Sequence, residues 1–281
     1  MALGATHIKR ILSGVTMFAA LLACLFAGGW TLRAFAGIAA ALALWEFYQM
    51  FWPGCSRLPD KAAGLLTGVF LCFYDAFGFG PSAPLVLLGF LSFYAALRFL
   101  FTYGCADEKR SSAADLSDGA LLVFGVIYIP TCLQLAFHLS FSEQVLALLA
   151  AVGSDTGAYY AGSLLGRRRI WPKISPKKSL EGALGGLCAS MILLSAYGCL
   201  VNIPGLEALS ALHFALLGLI LSITAQLGDF FESALKRRCK VKDSSNLVPG
   251  HGGFMDRLDS ILFVLPVYML IRTLLLVPCI A

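Results

Sequence analysis

Residues 226–259 read QLGDFFESALKRRCKVKDSSNLVPGHGGFMDRLD and form a polar block between two apolar segments. The block contains six basic and five acidic residues and a Pro-Gly-His-Gly-Gly turn. Asp229 and Glu232 stand at its start and Asp256 and Asp259 at its end, so each pair shares one face if the flanks are helical. Charge this dense beside two membrane helices is costly unless it has a function, so the block is a candidate active site.

The rest of the chain is strongly apolar. It has 281 residues, of which 59% are hydrophobic and 13% charged, and its mean hydropathy is +0.81. Soluble domains carry about 25% charged residues. Only helices that satisfy their own backbone polar groups suit such a composition, which predicts an all-α, polytopic integral membrane protein. The nine cysteines have no framework spacing and are predicted to be small apolar side chains.

The hydropathy pattern predicts about nine transmembrane helices. The spans lie near residues 11–28, 31–51, 62–80, 83–103, 119–139, 143–165, 183–201, 211–232 and 258–280. The first could instead be a cleaved signal peptide, but a second apolar run follows almost at once and favours an uncleaved span.

The distribution of lysine and arginine supports this count. With nine spans, 18 of the 21 basic residues fall on one side of the membrane. They lie in the N-terminus and in the loops 52–61, 104–118, 166–182 and 233–257. The positive-inside rule then makes the N-terminus cytoplasmic. We expect one integral domain, 1–281, in which 1–140 are mainly hydrophobic spans and 141–281 form a catalytic half with cytoplasmic loops 166–182 and 233–257.

Two further segments carry candidate ligands. Asp155 precedes a glycine-rich segment and is either a helix N-cap or a metal or substrate ligand at membrane depth. Lys177, Lys178 and Ser179 precede a predicted helix that Ser179 can cap, and a helix N-terminus beside two lysines is a site for phosphate. The alternative for this basic loop is an anchor that contacts anionic lipid headgroups.

The carboxylates of the polar block predict a metal site. The loop between the two pairs can fold back and bring them together, and oxygen ligands of this kind suit Mg²⁺ bridged to substrate phosphates. The alternative is a network of interfacial salt bridges. Basic side chains of the block would neutralise phosphate oxygens: Lys236, Arg237, Lys242 and Arg257. No P-loop GxxxxGK[ST] occurs, which argues against an ordinary ATPase.

The glycine-rich turn has two interpretations. The run around His251 could form an anion-binding nest, since glycines allow close backbone approach to a ligand. His251 itself is either a turn residue with an idle imidazole or a proton-transfer group.

Three parts of the sequence resemble the phosphatidate cytidylyltransferases, or CDP-diacylglycerol synthases. The longest runs from Ser233 to Asp259 and includes SALKR, Lys242-Asp243 and His251-Gly-Gly-Phe-x-Asp256-Arg-Leu-Asp259. SDTGAYYAG at 154–162 and KISPKKSLEG at 173–182 resemble the same family, as does QLGDFFES at 226–233. The resemblance covers roughly the last half of the chain.

The resemblance implies the reaction of CTP with phosphatidic acid to give CDP-diacylglycerol and pyrophosphate, a step of phospholipid biosynthesis. It implies Mg²⁺, with a second metal or a monovalent cation left open. The catalytic residues would be Asp229, Asp256, Asp259, Lys236, Arg257 and His251. Substrate would contact Lys177, Lys178, Ser179, Lys242, Asp243, Gly252, Gly253 and Asp155. The metal ligands would be Asp229, Asp256 and Glu232.

The resemblance also implies a location and partners. We expect a multi-pass protein of the cytoplasmic (inner) membrane whose active site faces the cytoplasm, in contact with the lipid bilayer and with no nucleic acid. A homodimer and a monomer are both open.

Two other functions compete with this one. A transporter could carry the carboxylates at a cytoplasmic gate, but its polar residues would be spread over both halves, whereas here they concentrate in the second. A related cytidylyl or lipid kinase-like enzyme could use a polyprenyl or ether-lipid acceptor. The apolar first half, which would select the acceptor, does not distinguish these.

Overall fold

The computed structural model describes residues 16, 19–104, 115–245, 247 and 252–276. Within them the regular elements are helical, apart from one isolated β-bridge between Arg169 and Ser179. The α-helices are α1 Gly29–Phe51, α2 Leu58–Leu71, α3 Ala83–Tyr103, α4 Leu116–Tyr128, α5 Pro130–Gln134, α6 Phe141–Leu165, α7 Leu180–Leu200, α8 Ala211–Arg238 and α9 Asp259–Ile271. Short 3₁₀ turns cover Leu135–His138 and Met255–Arg257, a π-helix covers Arg272–Leu276, and residues 19–27 are also helical. The all-α class is confirmed.

Five of the described helical segments are long and apolar enough to cross a membrane. They are Gly29–Phe51, Ala83–Tyr103, Leu116–His138, Leu180–Leu200 and Ala211–Arg238. The polytopic membrane class is therefore confirmed, while the count of nine spans and the side of the N-terminus stay predictions. α2 has 14 residues and α9 has 13, fewer than the ~20 that an ideal span needs. Most of the predicted first span lies outside the described residues.

The chain divides into two compact units. The first comprises Met1–Gln134 and Ser244–Met255, and the second Leu135–Asp243 and Asp256–Ala281. The prediction of a single integral domain stays a prediction.

In the first unit, α1, α2 and α4 pack around buried aromatic side chains. Tyr48 of α1 is fully buried, and its hydroxyl donates a hydrogen bond of 2.8 Å to the Leu122 carbonyl. Gly64 and Gly125 lie against the Tyr48 ring, which leaves no room for a Cβ at either position. Large rings in a membrane core therefore pack against glycine on the neighbouring helices.

Several charges of the first unit are paired with one another. Asp60 accepts hydrogen bonds from the Tyr94 hydroxyl at 2.9 Å and from Arg98 Nε at 3.1 Å. Asp118 accepts one from Trp52 Nε1 at 2.8 Å and pairs with Arg57. Such pairing offsets the cost of burying charge at membrane depth.

In the second unit, α6 and α7 pack closely along small residues. A Cβ on Gly157 of α6 would meet the Gly185 carbonyl of α7 at 2.6 Å. Small residues of this kind let membrane helices approach until their backbones touch. A similar contact joins α8 to α9, where Gly228 lies against the Asp259 carbonyl.

Two helix boundaries differ from the predicted ones because of side chains that the hydropathy profile does not weigh. α8 continues past the predicted end at 232 as far as Arg238, since SALKRR contains good helix formers and Lys236 pairs with Glu232 one turn earlier. α6 begins at Phe141, where Ser140 and Glu143 form a capping box. Asp155 consequently lies in the interior of α6, and the prediction that it is an N-cap is wrong.

Candidate active site

A cavity of about 540 Å³ lies in the second unit, among α6, α8 and the segment that enters α7. Three separated parts of the sequence contribute predicted site residues to its lining. These are Asp155, Lys177, Lys178, Ser179 and Asp229. The structure thus brings together the segments 154–162, 173–182 and 226–233.

The N-terminus of α7 opens at this cavity. Ser179 is the N-cap, and its hydroxyl accepts a hydrogen bond of 3.1 Å from the Gly182 backbone N–H, which confirms the predicted cap. The side chain of Glu181 accepts the N–H groups of Arg167 at 3.0 Å and Arg168 at 3.2 Å. The loop 166–182 is thereby folded back onto the first turn of α7, where the Leu180 N–H donates to the Arg168 carbonyl at 2.8 Å. The positive end of the α7 dipole lies beside the two lysines.

Lys178 links this loop to α8. Its ammonium forms an ion pair with Asp229 and lies 4.4 Å from the centre of the Phe230 ring. The Ser233 hydroxyl donates a further hydrogen bond of 3.3 Å to Asp229. Trp171 of the loop packs edge-on against Phe230, with ring centres 4.7 Å apart. The cationic side chain and the aromatic pair fix the loop against the first carboxylate of the polar block.

Three carboxylates lie close enough to repel one another. Asp155 interacts electrostatically with Asp229, and Asp259 with both. Lys178 offsets these charges, and Arg257 acts on Asp155 in the same sense. The close approach of α8 and α9 at Gly228 brings Asp259 beside this group.

Two other carboxylates share one lysine. Lys236 Nζ donates to Glu232 Oε2 and to Asp256 Oδ1, both at 2.7 Å. The side chains of Glu232 and Asp256 are 1% and 8% exposed, so this ion-pair triad is buried. The second oxygen of Glu232 has no hydrogen-bond partner among the described residues. Asp259 acts electrostatically on Glu232 and so connects the triad to the first group.

The donor chemistry of this region fits a hard divalent cation. Five carboxylates, of Asp155, Asp229, Glu232, Asp256 and Asp259, interact with three cationic side chains, of Lys178, Lys236 and Arg257. Five minus three leaves two negative charges when all eight groups are ionised, and Glu232 presents an unpaired oxygen. In the described part of the chain, however, no three acidic, histidine or cysteine side chains already converge as a ligand set. The predicted ligands Asp229, Asp256 and Glu232 stay a prediction.

The other predicted site residues lie in the sequence between α8 and the 3₁₀ turn Met255–Arg257. Lys242 and Asp243 are exposed in the segment that follows α8. Gly252 and Gly253 belong to the first unit, where Gly252 has a φ of 83°, a conformation that favours glycine. His251 lies outside the described residues, so its two interpretations stay open.

Sequence reasoning missed several side chains that line the cavity, among them Tyr159, Arg169, Gln226 and Phe230. Helical spacing could have indicated two of them, because Tyr159 follows Asp155 by four residues and Gln226 precedes Asp229 by three. Gln226 Nε2 donates to the Ala183 carbonyl of α7 at 3.1 Å, so its amide ties the two helices together at the cavity wall. The Arg169 guanidinium donates to the Lys177 carbonyl and steadies the basic loop.

Fold and cavity together define an all-α polytopic membrane protein with a charged, oxygen-rich site. The chain belongs to the cytidylyltransferase family, whose family model matches residues 8–275. It is 31% identical over 271 residues to the phosphatidate cytidylyltransferase of Bacillus subtilis (strain 168), covering 92% of this chain and 94% of that protein. It is 33% identical to the phosphatidate cytidylyltransferase of Staphylococcus haemolyticus (strain JCSC1435) and 34% identical to that of Staphylococcus aureus (strain COL), covering 92% of this chain and 95% of each relative.

Proposed function

We propose that the protein is a phosphatidate cytidylyltransferase, which converts CTP and phosphatidic acid into CDP-diacylglycerol and pyrophosphate for phospholipid biosynthesis. Family membership and relatives of this name that match over nearly their whole length support the reaction. The observation that carries the proposal is the cavity at which a capped helix N-terminus and two lysines meet Asp229. A site with these groups can hold phosphate oxygens and a cation together.

In this reaction a phosphate oxygen of the lipid attacks the α-phosphorus of CTP. A new P–O bond forms, the bond between the α- and β-phosphates breaks, and pyrophosphate leaves with the electron pair. The lipid phosphate is already ionised at neutral pH, so no strong base is needed. Catalysis then depends on orientation and on neutralising charge, as in phosphoryl transfer generally.

The chain's own residues supply these two effects. The ammonium groups of Lys177 and Lys178, beside the positive end of the α7 dipole, would bind phosphate oxygens, which requires Lys178 to release Asp229 in part. Arg257, which acts electrostatically on Asp155, would bind the lipid phosphate or the α-phosphate. Lys236 would hold the side chains of Glu232 and Asp256 in place through its two ion pairs.

Mg²⁺, when bound, would supply positive charge to the triphosphate as pyrophosphate leaves. Asp229 is the central candidate ligand. Asp155 and Asp259 interact with it in the structure, whereas Asp256 and Glu232, the other predicted ligands, share the charge of Lys236. Carboxylates that repel one another are the ones whose pairing with a cation is most favourable.

The lipid would reach the site from the bilayer. The apolar helices place the chain in a membrane, and we propose that this is the cytoplasmic membrane with the site facing the cytoplasm. The two acyl chains would stay among the lipids while the phosphate enters the cavity, which is bounded by helices of high hydropathy.

The proposal is tested by pyrophosphate release from purified protein in detergent. We expect release only when CTP, phosphatidic acid and Mg²⁺ are all present, together with CDP-diacylglycerol identified by mass. The controls omit the lipid, replace CTP by ATP, or add a chelator. A different acceptor would be identified if folded protein binds CTP, releases no pyrophosphate with phosphatidic acid, and releases pyrophosphate with a polyprenyl phosphate.

The metal ligands are tested by comparing two conservative variants. If Asp155 and Asp229 hold the cation, Asp155→Asn raises the Mg²⁺ concentration for half-maximal activity by roughly tenfold or more, while Glu232→Gln leaves it near the wild-type value. The reverse result would assign the cation to the ligand set Asp229, Asp256 and Glu232. Mn²⁺ binding followed by electron paramagnetic resonance gives the same comparison without turnover.

A further inference from the structure

A buried carboxylate of α1 holds both ends of the segment Ser244–Met255. Glu46 is 3% exposed and accepts four hydrogen bonds from this segment. The donors are the Ser244 hydroxyl at 2.8 Å, the Ser245 hydroxyl, the Phe254 N–H at 2.9 Å and the Met255 N–H at 2.8 Å. Two donors precede residues 246–251 in the sequence and two follow them, so a single side chain holds residues on both sides of the glycine-rich stretch.

The packing of Gly253 shows how tight this closure is. A Cβ at Gly253 would overlap the Ser244 hydroxyl and the Glu46 carboxylate, so only glycine lets the backbone at this position approach Glu46. Gly252 beside it has a φ of 83°. The sequence assigned these two glycines to substrate binding, and the structure gives Gly253 a packing role against Glu46 as well.

The chemistry of the Glu46 carboxylate suits the binding of several donors at once. An ionised carboxylate is an acceptor only, with about four lone-pair sites, and here four donors occupy them. Hydrogen bonds to a charged acceptor are about twice as strong as neutral ones, which offsets the cost of burying the charge. A glutamine of the same shape would accept with one oxygen and turn its amide N–H₂ toward two of the donors.

We propose that Glu46 is a positioning residue that fixes Ser244 and Ser245 on one side of the glycine-rich stretch, and Phe254 and Met255 on the other, for catalysis. The inference rests on the proposed function, which assigns Gly252 and Gly253 to substrate contacts. The segment is also joined by peptide bonds to Asp243 at one end and to Asp256 at the other, both predicted site residues. Glu46 touches no reacting atom in this scheme and acts only through the segment that it holds.

The test combines hydrogen exchange with kinetics on full-length protein in detergent. In Glu46→Gln we expect the amides of Phe254 and Met255 to exchange faster, because they lose their charged acceptor, while peptides from α6 exchange as in wild type. We expect kcat with CTP and phosphatidic acid to fall by roughly 10- to 100-fold, the usual effect of displacing a positioned group. In the double variant Ser244→Ala/Ser245→Ala, which keeps Glu46 but removes two donors, we expect a smaller decrease of kcat. This double variant replaces Glu46→Gln in the test if Glu46→Gln does not fold.

Glu143→Gln is the matched control. Glu143 is 1% exposed and accepts from Tyr268 at 3.0 Å and Arg272 at 2.6 Å in the second unit, so its loss perturbs an equally buried carboxylate elsewhere. It should lower the melting temperature without lowering kcat at a temperature where the variant is folded. An equal loss of kcat in Glu143→Gln would overturn the positioning role of Glu46.

The remaining outcomes separate this inference from the proposed function. Faster exchange in Glu46→Gln with wild-type kcat would show a structural contact only and overturn the inference. Wild-type exchange and wild-type kcat would overturn it too. A wild-type protein that is inactive with CTP and phosphatidic acid would instead overturn the proposed function, while the exchange experiment would still decide whether Glu46 holds the segment.

Discussion

Lys236 donates to two carboxylates of the site. Its ammonium lies 2.7 Å from both Glu232 and Asp256, and all three side chains are largely buried. Removing one partner of a buried ion pair leaves an uncompensated charge, which usually costs more than the pair contributes. The triad therefore depends on Lys236 more than on either acid.

We expect Lys236→Met to lower the free energy of unfolding by about 3 kcal/mol and to abolish most activity, because two buried carboxylates lose their counter-ion. Adding Glu232→Gln to this variant should restore part of the stability, since it removes one of the two unpaired charges. Thermal unfolding in detergent, followed by the fluorescence of the native tryptophans, measures both effects.

Arg238→Met provides the control for Lys236→Met. Arg238 is exposed at the end of the same helix, so its replacement should change the unfolding temperature little. If Glu232→Gln destabilises the Lys236→Met protein further, the buried triad does not contribute to stability through its charges.

At the level of secondary-structure elements, the contact between α6 and α7 determines the shape of the cavity. α6 carries Asp155, Ser179 caps α7, and the backbones of the two helices touch where Gly157 faces Gly185. Separating the helices there would move Asp155 away from the N-terminus of α7. The interface is therefore as important for the site as the charged residues.

We expect Gly157→Ala to destabilise the protein by about 1–3 kcal/mol, because its Cβ would overlap backbone of α7 that cannot move aside cheaply. Activity should fall with it. Gly89→Ala is the matched control, since Gly89 lies within α3 and a Cβ there meets nothing within 4 Å. That change should stabilise the protein by about 0.5–1 kcal/mol through helix propensity alone. Thermal unfolding tests the prediction: it is confirmed if Gly157→Ala lowers the unfolding temperature and Gly89→Ala raises it, and contradicted if both variants shift it in the same direction.

For the whole molecule, the topology can be tested with cysteines placed in the second unit. Nine spans put Lys173, which precedes α7, in the cytoplasm, and put Glu207, between α7 and α8, on the opposite side. Both residues are exposed.

In a background without the native cysteines, Glu207→Cys should react with a membrane-impermeant maleimide in intact cells. Lys173→Cys should react only after lysis. Labelling of Lys173→Cys in intact cells would reverse the orientation, and with it the proposed cytoplasmic site. Pyrophosphate release by both variants controls for correct folding.

The predicted helices agree with the observed ones where the signal is local. The runs 83–103 and 31–51 differ little from α3 and α1, because an apolar segment of about 20 residues in a membrane has no alternative to a helix. The predicted span 62–80 is wrong in its second half, because α2 ends at Leu71 and turns follow. Residues of the same hydropathy can form a helix or a turn there, and packing decides between them.

The sequence by itself determined the all-α membrane class, the approximate helices, the family and the acidic and basic residues that make up the site. These follow from composition, from spacing along one helix and from an ordered motif. The tertiary structure alone decided the partners of each charge: Asp229 pairs with Lys178, while Glu232, one turn later, shares Lys236 with Asp256. It also revealed Glu46, a lone acid in a predicted span whose four donors lie about 200 residues away. Pairings of this kind depend on how distant segments pack, and no local pattern encodes them.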